Sequence, residues 1–525
     1  MKLRPWIFPM VIGLLVAFWS FRPIWDMDIW WHLALGRSIW TDGLPVTDIL
    51  SAVLPERPWS TFQGGYELYV AGLHSLGGLG LVRGMHALAI GCGFAMFAHV
   101  ARRISGDVWM AVAAVALGLV LYEDRIRVRP HVFHFLFVMV MLLRVARPHP
   151  RWQFVDLVWL APLMMAWASL HTPASLWGVA LMGTVVIARW REKEGWIVLG
   201  VCILVMGLTP GVVSGALSAL DVHAMPGMQE RFVPEHGPLS DYLTSGMGMH
   251  GWLAVALVVV CGILAIAHVL SSQNRLAGWK PLLFAATGMG IFSLLMVRFA
   301  WHALAPLLVV LALRKTSGRL TWVLALCAIG VFVVDAYTYV LPRHAEMNRF
   351  SEDVHPGKFP EAATDYMETQ GISGRIHNQA GWGGYLLHRL HPNSRTLFDS
   401  RIAFGTAGEF LVMDDTRRAS LETSFREGEV DEKEGSRQWF EWRRALNHQL
   451  HEEHGVDLIV QVAPVFAISP TALMVRGWLN ELPWVPLFCA GGVEVWAHRG
   501  SPAAERSGPC IESLRTLKPG ATRSP

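Results

Sequence analysis

Two carboxylates one residue apart mark the first stretch of this chain where chemistry could occur: Trp25-Asp26-Met27-Asp28-Ile29-Trp30-Trp31-His32-Leu33, running on to Gly36 and Arg37. Such a pair can hold a divalent ion through hard oxygen ligands. Alternatively, one carboxylate takes a proton from an acceptor hydroxyl while the other orients it. A structural use is also open, because Asp accepts hydrogen bonds from free amides at a helix start. A second polar concentration is Tyr122-Glu123-Asp124-Arg125-Ile126-Arg127-Val128-Arg129-Pro130-His131. Its three arginines suit phosphate oxygens, which guanidinium groups grip by forked, charge-assisted hydrogen bonds. The structural alternative is a loop neutralised by Glu123 and Asp124, with arginine stems lying along apolar surface.

Three more polar side chains sit at breaks between apolar runs. His171, in Ser169-Leu170-His171-Thr172-Pro173, could donate to a sugar hydroxyl or a phosphate, or cap the carbonyls at a helix end. Arg298 and His302 are four residues apart, so a helix through them would place both on one face and add to an anion site.

The elements that must position these residues are apolar. Of 525 residues 53% are apolar and 16% charged, with a mean hydropathy of +0.37. That is too little charge to cover a water-soluble surface, and it excludes a purely cytosolic enzyme, a disulfide scaffold and a disordered chain. The net charge of +3 gives no footprint for nucleic acid. A bilayer core needs about 20 helical residues, and eleven runs near that length lie at 5–22, 79–101, 107–122, 132–147, 153–170, 173–190, 196–217, 251–270, 280–297, 299–314 and 320–341. The first lacks a small-residue cleavage site and reads as a retained helix.

Basic residues in short loops orient such spans, collecting on the cytoplasmic side. One set of ends carries Lys2, Arg4, Arg102, Arg103, Arg144, Arg147, Arg151, Arg189, Arg191, Lys193, Arg275, Lys280, Arg314, Lys315 and Arg319. The other carries Arg22, Arg37, Arg57, Arg125, Arg127, Arg129, Arg231 and Arg298 over a longer total length. The expected N-terminus is therefore cytoplasmic. An odd number of spans then puts the C-terminal part outside, in an outer-facing domain over 342–499, with a disordered Ser/Pro/Arg-rich tail at 500–525. The first outer loop is 22–66, whose start suits a helix lying in the membrane interface, with its tryptophans serving as interface anchors or as a sugar-stacking surface. The outer loop 218–250, with His223, Glu230, Arg231, Glu235, His236 and Asp241, is long enough for a gate or a passive linker.

From Pro342 charges return and apolar runs shorten. Helices are expected at 360–370 and 438–454, and strands at 374–378, 395–399, 456–462 and 493–498, which together make a small α/β domain. Cys92, Cys202, Cys261 and Cys327 lie in apolar runs, whereas Cys489 and Cys510 flank an outer segment and could pair. Gly381-Trp382-Gly383-Gly384 permits a tight turn. Alternatively, Trp382 and Arg401, in Phe398-Asp399-Ser400-Arg401, would border an acceptor groove. There is no phosphate loop, dinucleotide fingerprint or Ser-His-Asp signature.

An Asp-x-Asp just after the first span, running into Trp-Trp-His-Leu, resembles bacterial membrane proteins related to the GT-C glycosyltransferases. The resemblance continues through Arg129-Pro130-His131, Trp167-Ala168-Ser169-Leu170-His171, Arg298-Phe299-Ala300-Trp301-His302, Gly381–Leu386 and Phe398–Arg401. It implies a polytopic inner-membrane protein that takes sugar from a polyprenyl-phosphate carrier and delivers it to an extracytoplasmic glycan, lipid or protein. Asp26 and Asp28 would be the catalytic pair, or ligands for Mg or Mn. Trp31, His32, Arg125, Arg127, Arg129, His131, His171, Arg298 and His302 would bind donor and phosphate. Rival functions are a non-catalytic component that binds or exports a surface polysaccharide, and a ligase or polymerase using a lipid diphosphate.

Overall fold

Each of the expected apolar runs carries a helix in the computed structural model, which describes residues 4–52, 59, 63–213, 238–240, 243, 248–271, 278–313, 320–344, 350–397, 399–401, 451–462, 484–490 and 493–506. In chain order these helices are α1 (Arg4–Ser20), α3 (Gly64–Ser105), α4 (Val108–Tyr122), α5 (His131–Val145), α6 (Leu157–Leu170), α7 (Thr172–Ala188), α8 (Lys193–Gly207), α9 (Gly248–Ser271), α10 (Lys280–Leu295), α11 (Leu304–Leu313) and α12 (Thr321–Asp335). The last continues through a π turn, Ala336–Val340, to His344. By length and composition, Gly64–Ser105, Gly248–Ser271 and Thr321–His344 suffice to cross a membrane, and shorter apolar helices accompany them.

Local chemistry sets the helix ends. Gly106 closes α3 in the left-handed region at φ 69°, where a side chain would be strained, and Asp107 then caps α4 by accepting from the amides of Trp109 and Met110. α3 starts well before the expected span. It is two helical segments meeting at a sharp kink, where Gly77 and Gly78 leave helical geometry, the second at φ 64°, and the first segment replaces the end of the expected loop. α1 meets α3 at bare backbone: a Cβ on Gly13 would lie 2.8 Å from the Gly91 carbonyl oxygen. Small residues allow such close crossings between apolar helices.

The chain divides into two compact units, residues 1–26 with 60–354, and residues 27–59 with 355–525. The expected boundary at 342 is thus moved, and most of the expected first outer loop is part of the second unit. That unit holds α2 (Asp28–Asp42), α13 (Glu361–Gln370), α14 (Gly383–Leu390) and strands β1 (Arg375–Asn378), β2 (Arg395–Thr396), β3 (Leu458–Val462), β4 (Trp484–Ala490) and β5 (Val493–His498). The sheet order is β2-β1-β3-β5-β4, with β1 parallel to both neighbours and β5 antiparallel to β3 and β4. Ile376, Leu458, Val460, Leu487 and Val495 pack against Ala363, Met367, Leu386 and Leu390 to form its core.

The sequence reading missed β4 because Pro486 interrupts it. The strand lies at the sheet edge, and its register shifts between Pro486 and Phe488, the positions where a sheet tolerates proline. The tail expected to be disordered begins as a short helical turn, Pro502–Glu505, that buries Ala503. Residues 507–525, the 218–237 part of the second loop and the 438–450 part of the long helix lie outside the described residues. Cys489 is disulfide-bonded, while Cys510 lies outside them too.

α2 is buried along most of its length. Ile29 through Gly36, Ser38 and Ile39 are all buried. Trp30 stands edge-on to Phe359 and Tyr385 at 5.2 and 5.0 Å, so it is neither a membrane anchor nor an open stacking surface. Trp31 and His32 are buried beside each other.

Candidate active site

In the first unit, the extended segment after α1 alternates its contacts as an extended chain must. Arg22 forms an ion pair with buried Glu123, its Nη2 donating to Oε2 at 3.2 Å. The Ile24 amide donates to the Asp353 carbonyl at 2.8 Å, and Asp353 also accepts from Arg83 at 2.6 Å. Asp26 then meets the arginine cluster. Arg129 Nε donates to its Oδ2 at 2.6 Å, and Arg127 Nη1 lies 3.8 Å from the same oxygen. The Arg127 guanidinium also stacks 4.4 Å over Trp25. Asp26 is 2% exposed, whereas Arg127 and Arg129 are each 16% exposed at the side chain.

Glu123 and Asp124 have larger tasks than neutralising their own loop. Asp124 accepts from the Tyr339 hydroxyl at 2.6 Å and lies 3.3 Å from His250, whose other ring nitrogen is 2.8 Å from Asp335. Burial opposes charge on Asp124, but the hydrogen bond and charge of His250, with Tyr339, hold its carboxyl well below the usual range. A lone acid inside the apolar run 320–341, Asp335, was the sequence signal for this network.

His131 Nε2 is 2.9 Å from the Arg125 carbonyl oxygen, fixing the loop, and Arg125 is buried. His171 caps the N-terminus of α7, accepting from the Ala174 amide at 3.4 Å, where a cap on carbonyls was the expected alternative. Desolvation and then the charge of Arg298 hold this imidazole down at about 3, leaving it the neutral acceptor the cap requires. Arg298 and His302 do not share a face. The segment Val297–Ala303 winds as a 3-10 helix, in which residues three apart eclipse and residues four apart diverge. His302 is buried among Trp177, Phe299 and Trp301, with ring centroids 4.3–4.8 Å away.

Beside Asp26 lies a cleft of about 20 Å³, lined by Arg22, Trp25, Asp26, Arg83, His86 and Arg127 among others. It has room for about one water or hydroxyl. Among the described residues no three His, Cys, Asp or Glu converge as a metal centre would require. Asp26 also lies beside two guanidinium groups that repel a cation. Among the described residues, the surroundings of Asp26 therefore do not fit a divalent ion.

Asp28 is the first residue of α2, where a carboxylate favours the helix dipole, and it belongs to the second unit. The glycines of 381–384 explain how α2 is seated there. A Cβ on Gly384 would lie 2.9 Å from the Met27 carbonyl oxygen and 3.3 Å from Trp30 Cβ, and one on Gly381 would lie 2.8 Å from Met27 Sδ. Arg401 is no groove wall. It is buried, holding both oxygens of Asp399 at 3.0 and 2.6 Å and Asp48 at 3.0 Å, with its guanidinium 4.7 Å over Trp59 and 5.7 Å from Trp31. Burial opposes its charge, but the two carboxylates raise it above its ordinary range. Trp382 donates to the Lys358 carbonyl at 3.2 Å and packs on the domain core.

This architecture recurs among solved structures. It is similar to the archaeal oligosaccharyltransferase AglB from Archaeoglobus fulgidus, solved in complex with an inhibitory peptide and a dolichol-phosphate. The TM-score is 0.52 at 12% identity over 96% of this chain and 75% of that one. An Archaeoglobus fulgidus oligosaccharyltransferase tethered by a disulfide bond to an acceptor peptide containing the NVT sequon gives 0.52 at 11% identity, over 95% and 74%. At such identities the likeness defines the fold, which does not by itself define a substrate. No protein-family model matches the chain. No curated protein matches it.

Proposed function

We propose that the chain is a membrane glycosyltransferase that moves a sugar from a polyprenyl-phosphate carrier to an extracytoplasmic acceptor, inverting the anomeric carbon. The observation that carries this reading is the Asp26 carboxylate at the meeting point of Arg127 and Arg129, beside a space sized for one hydroxyl. In this reading Asp26 or Asp28 accepts the proton of the acceptor hydroxyl, and the other orients it. The freed oxygen attacks the anomeric carbon as the bond to the carrier phosphate breaks on the opposite face. Arg127 and Arg129, with Arg125 and Arg298, meet the negative charge that grows on that phosphate, where fixed cations lower the barrier most. The proposed setting is the bacterial inner membrane, with eleven spans, a cytoplasmic N-terminus and the C-terminal domain, 342–499, outside. A bonded Cys489 supports an oxidising compartment for that domain.

The test is transfer by the full chain reconstituted in vesicles with polyprenyl-phosphate sugars. Asp26→Asn and Asp28→Asn keep shape and remove charge. Loss of roughly 10²-fold or more in at least one is expected if it is the base, with folding intact. Near-normal transfer in both excludes the pair. Wild-type protein that moves only whole glycans from a lipid diphosphate would establish the ligase reading instead.

A further inference from the structure

At the end of the helical unit opposite Asp26 there is a second polar cleft, of about 410 Å³, lined by His149, Arg189, Trp190, Arg191, Glu192 and Lys280 among others. Helix lengths separate the two places. Arg129 precedes α5 and His149 follows it, and a helix of that length spans about 22 Å. Likewise α7 runs from its cap at His171 to Arg189, and α10 runs from Lys280 toward Arg298.

The cleft has a built wall. His149 is the one described non-glycine residue with positive φ, at 51°, a conformation that persists only where its surroundings enforce it. Its amide donates to the Gly278 carbonyl at 2.8 Å, and its own carbonyl accepts from Arg189 Nη2 at 3.1 Å. The imidazole thereby lies against Gly278, where a Cβ would be 3.0 Å from Nε2.

Charge is uncompensated. Glu192 is the one acid in the lining, and it is engaged by Arg189. Arg191, stacked 5.0 Å over Trp190, and Lys280 have no acidic partner among the described residues. Lys280 also opens α10, whose first amides face the same end. Two tryptophans on this rim, Trp190 and Trp196, are 64% and 49% exposed and joined by a hydrogen bond of 3.0 Å. Exposed tryptophans of this kind belong at headgroup depth in a bilayer.

We propose that this cleft binds the phosphate of an anionic glycerophospholipid headgroup, with Arg191 and Lys280 as its ligands and Trp190 and Trp196 against the glycerol and upper acyl region. Its volume is that of a small-molecule site, larger than a bare ion requires. The same cations could take a soluble phosphate monoester, and the two sources differ in whether the acyl chains add affinity.

The full chain, purified in neutral detergent and stripped of lipid, is titrated with phosphatidylglycerol, phosphatidylcholine and glycerol 1-phosphate, and bound ligand is counted by native mass spectrometry. Phosphatidylglycerol is expected to be retained at one site, more tightly than either other ligand. Arg191→Gln with Lys280→Gln should weaken it by at least about tenfold, the scale of losing charge-assisted hydrogen bonds. Arg191→Lys, which keeps the charge, should retain most binding, and Lys280→Gln alone should give an intermediate loss. Equal retention by wild type and the double variant overturns the proposal. Glycerol 1-phosphate binding as tightly as the lipid overturns the lipid assignment, and phosphatidylcholine binding equally overturns the role of net charge.

Discussion

A buried guanidinium that satisfies two carboxylates leaves both stranded when it is removed, so the Arg401 cluster carries a sharp expectation. Arg401→Met should destabilise the second unit by about 3–5 kcal/mol, read as a lowered thermal midpoint and faster hydrogen exchange over residues 44–52 and 395–401. Arg401→Lys should recover only part, because an ammonium cannot hold both Asp399 oxygens and Asp48 while stacking on Trp59. Unchanged exchange in the Met variant would show that the pairs are incidental. The sequence flagged Arg401 as notable but misread its task, since its partner Asp48 is 353 positions away and nothing local announces it. Asp26 and the arginines of 125–129 were legible, because charges beside apolar runs need a reason. The partners of Glu123 and Asp124, namely Arg22, His250 and Tyr339, are long-range and were not.

At the scale of elements, α2 and α14 touch through glycine. Gly384→Ala places a methyl against the Met27 carbonyl and Trp30, neither of which is the loose end of a flexible side chain. It should cost about 1–3 kcal/mol by overpacking and displace the start of α2. Hydrogen exchange over residues 27–34 reads this directly. An unperturbed α2 would mean the two helices adjust without cost. The apolar runs located the helices well, because length and hydropathy are local properties. What failed was local winding: the bend at Gly77–Gly78, the 3-10 course of Val297–Ala303, and an edge strand tolerating Pro486 all depend on neighbours.

At the scale of the whole chain, residues 27–59 belong with residues 355–525, a division that no composition shift marks. His391 makes that union pH-sensitive. It lies 3.1 Å from Ser38 on α2, and burial, with the charges of Arg395 and Arg37, holds its imidazole down at about 4 against 6.5 in an unfolded chain. Between those values the unfolded state binds more protons, so stability is complete above about 6.5 and falls as pH drops toward 4. Hydrogen exchange over α2 should quicken from pH 7 to 5 after correction for intrinsic rates, and His391→Gln should flatten the change; equal slopes would refute this. The acidic pair and its arginines are tested together by comparing carrier-lipid extracts from cells expressing wild-type chain and Asp28→Asn. Accumulation of one polyprenyl-phosphate sugar in the variant is expected. Identical lipid profiles, with both proteins present at equal levels, would exclude Asp28 from sugar transfer.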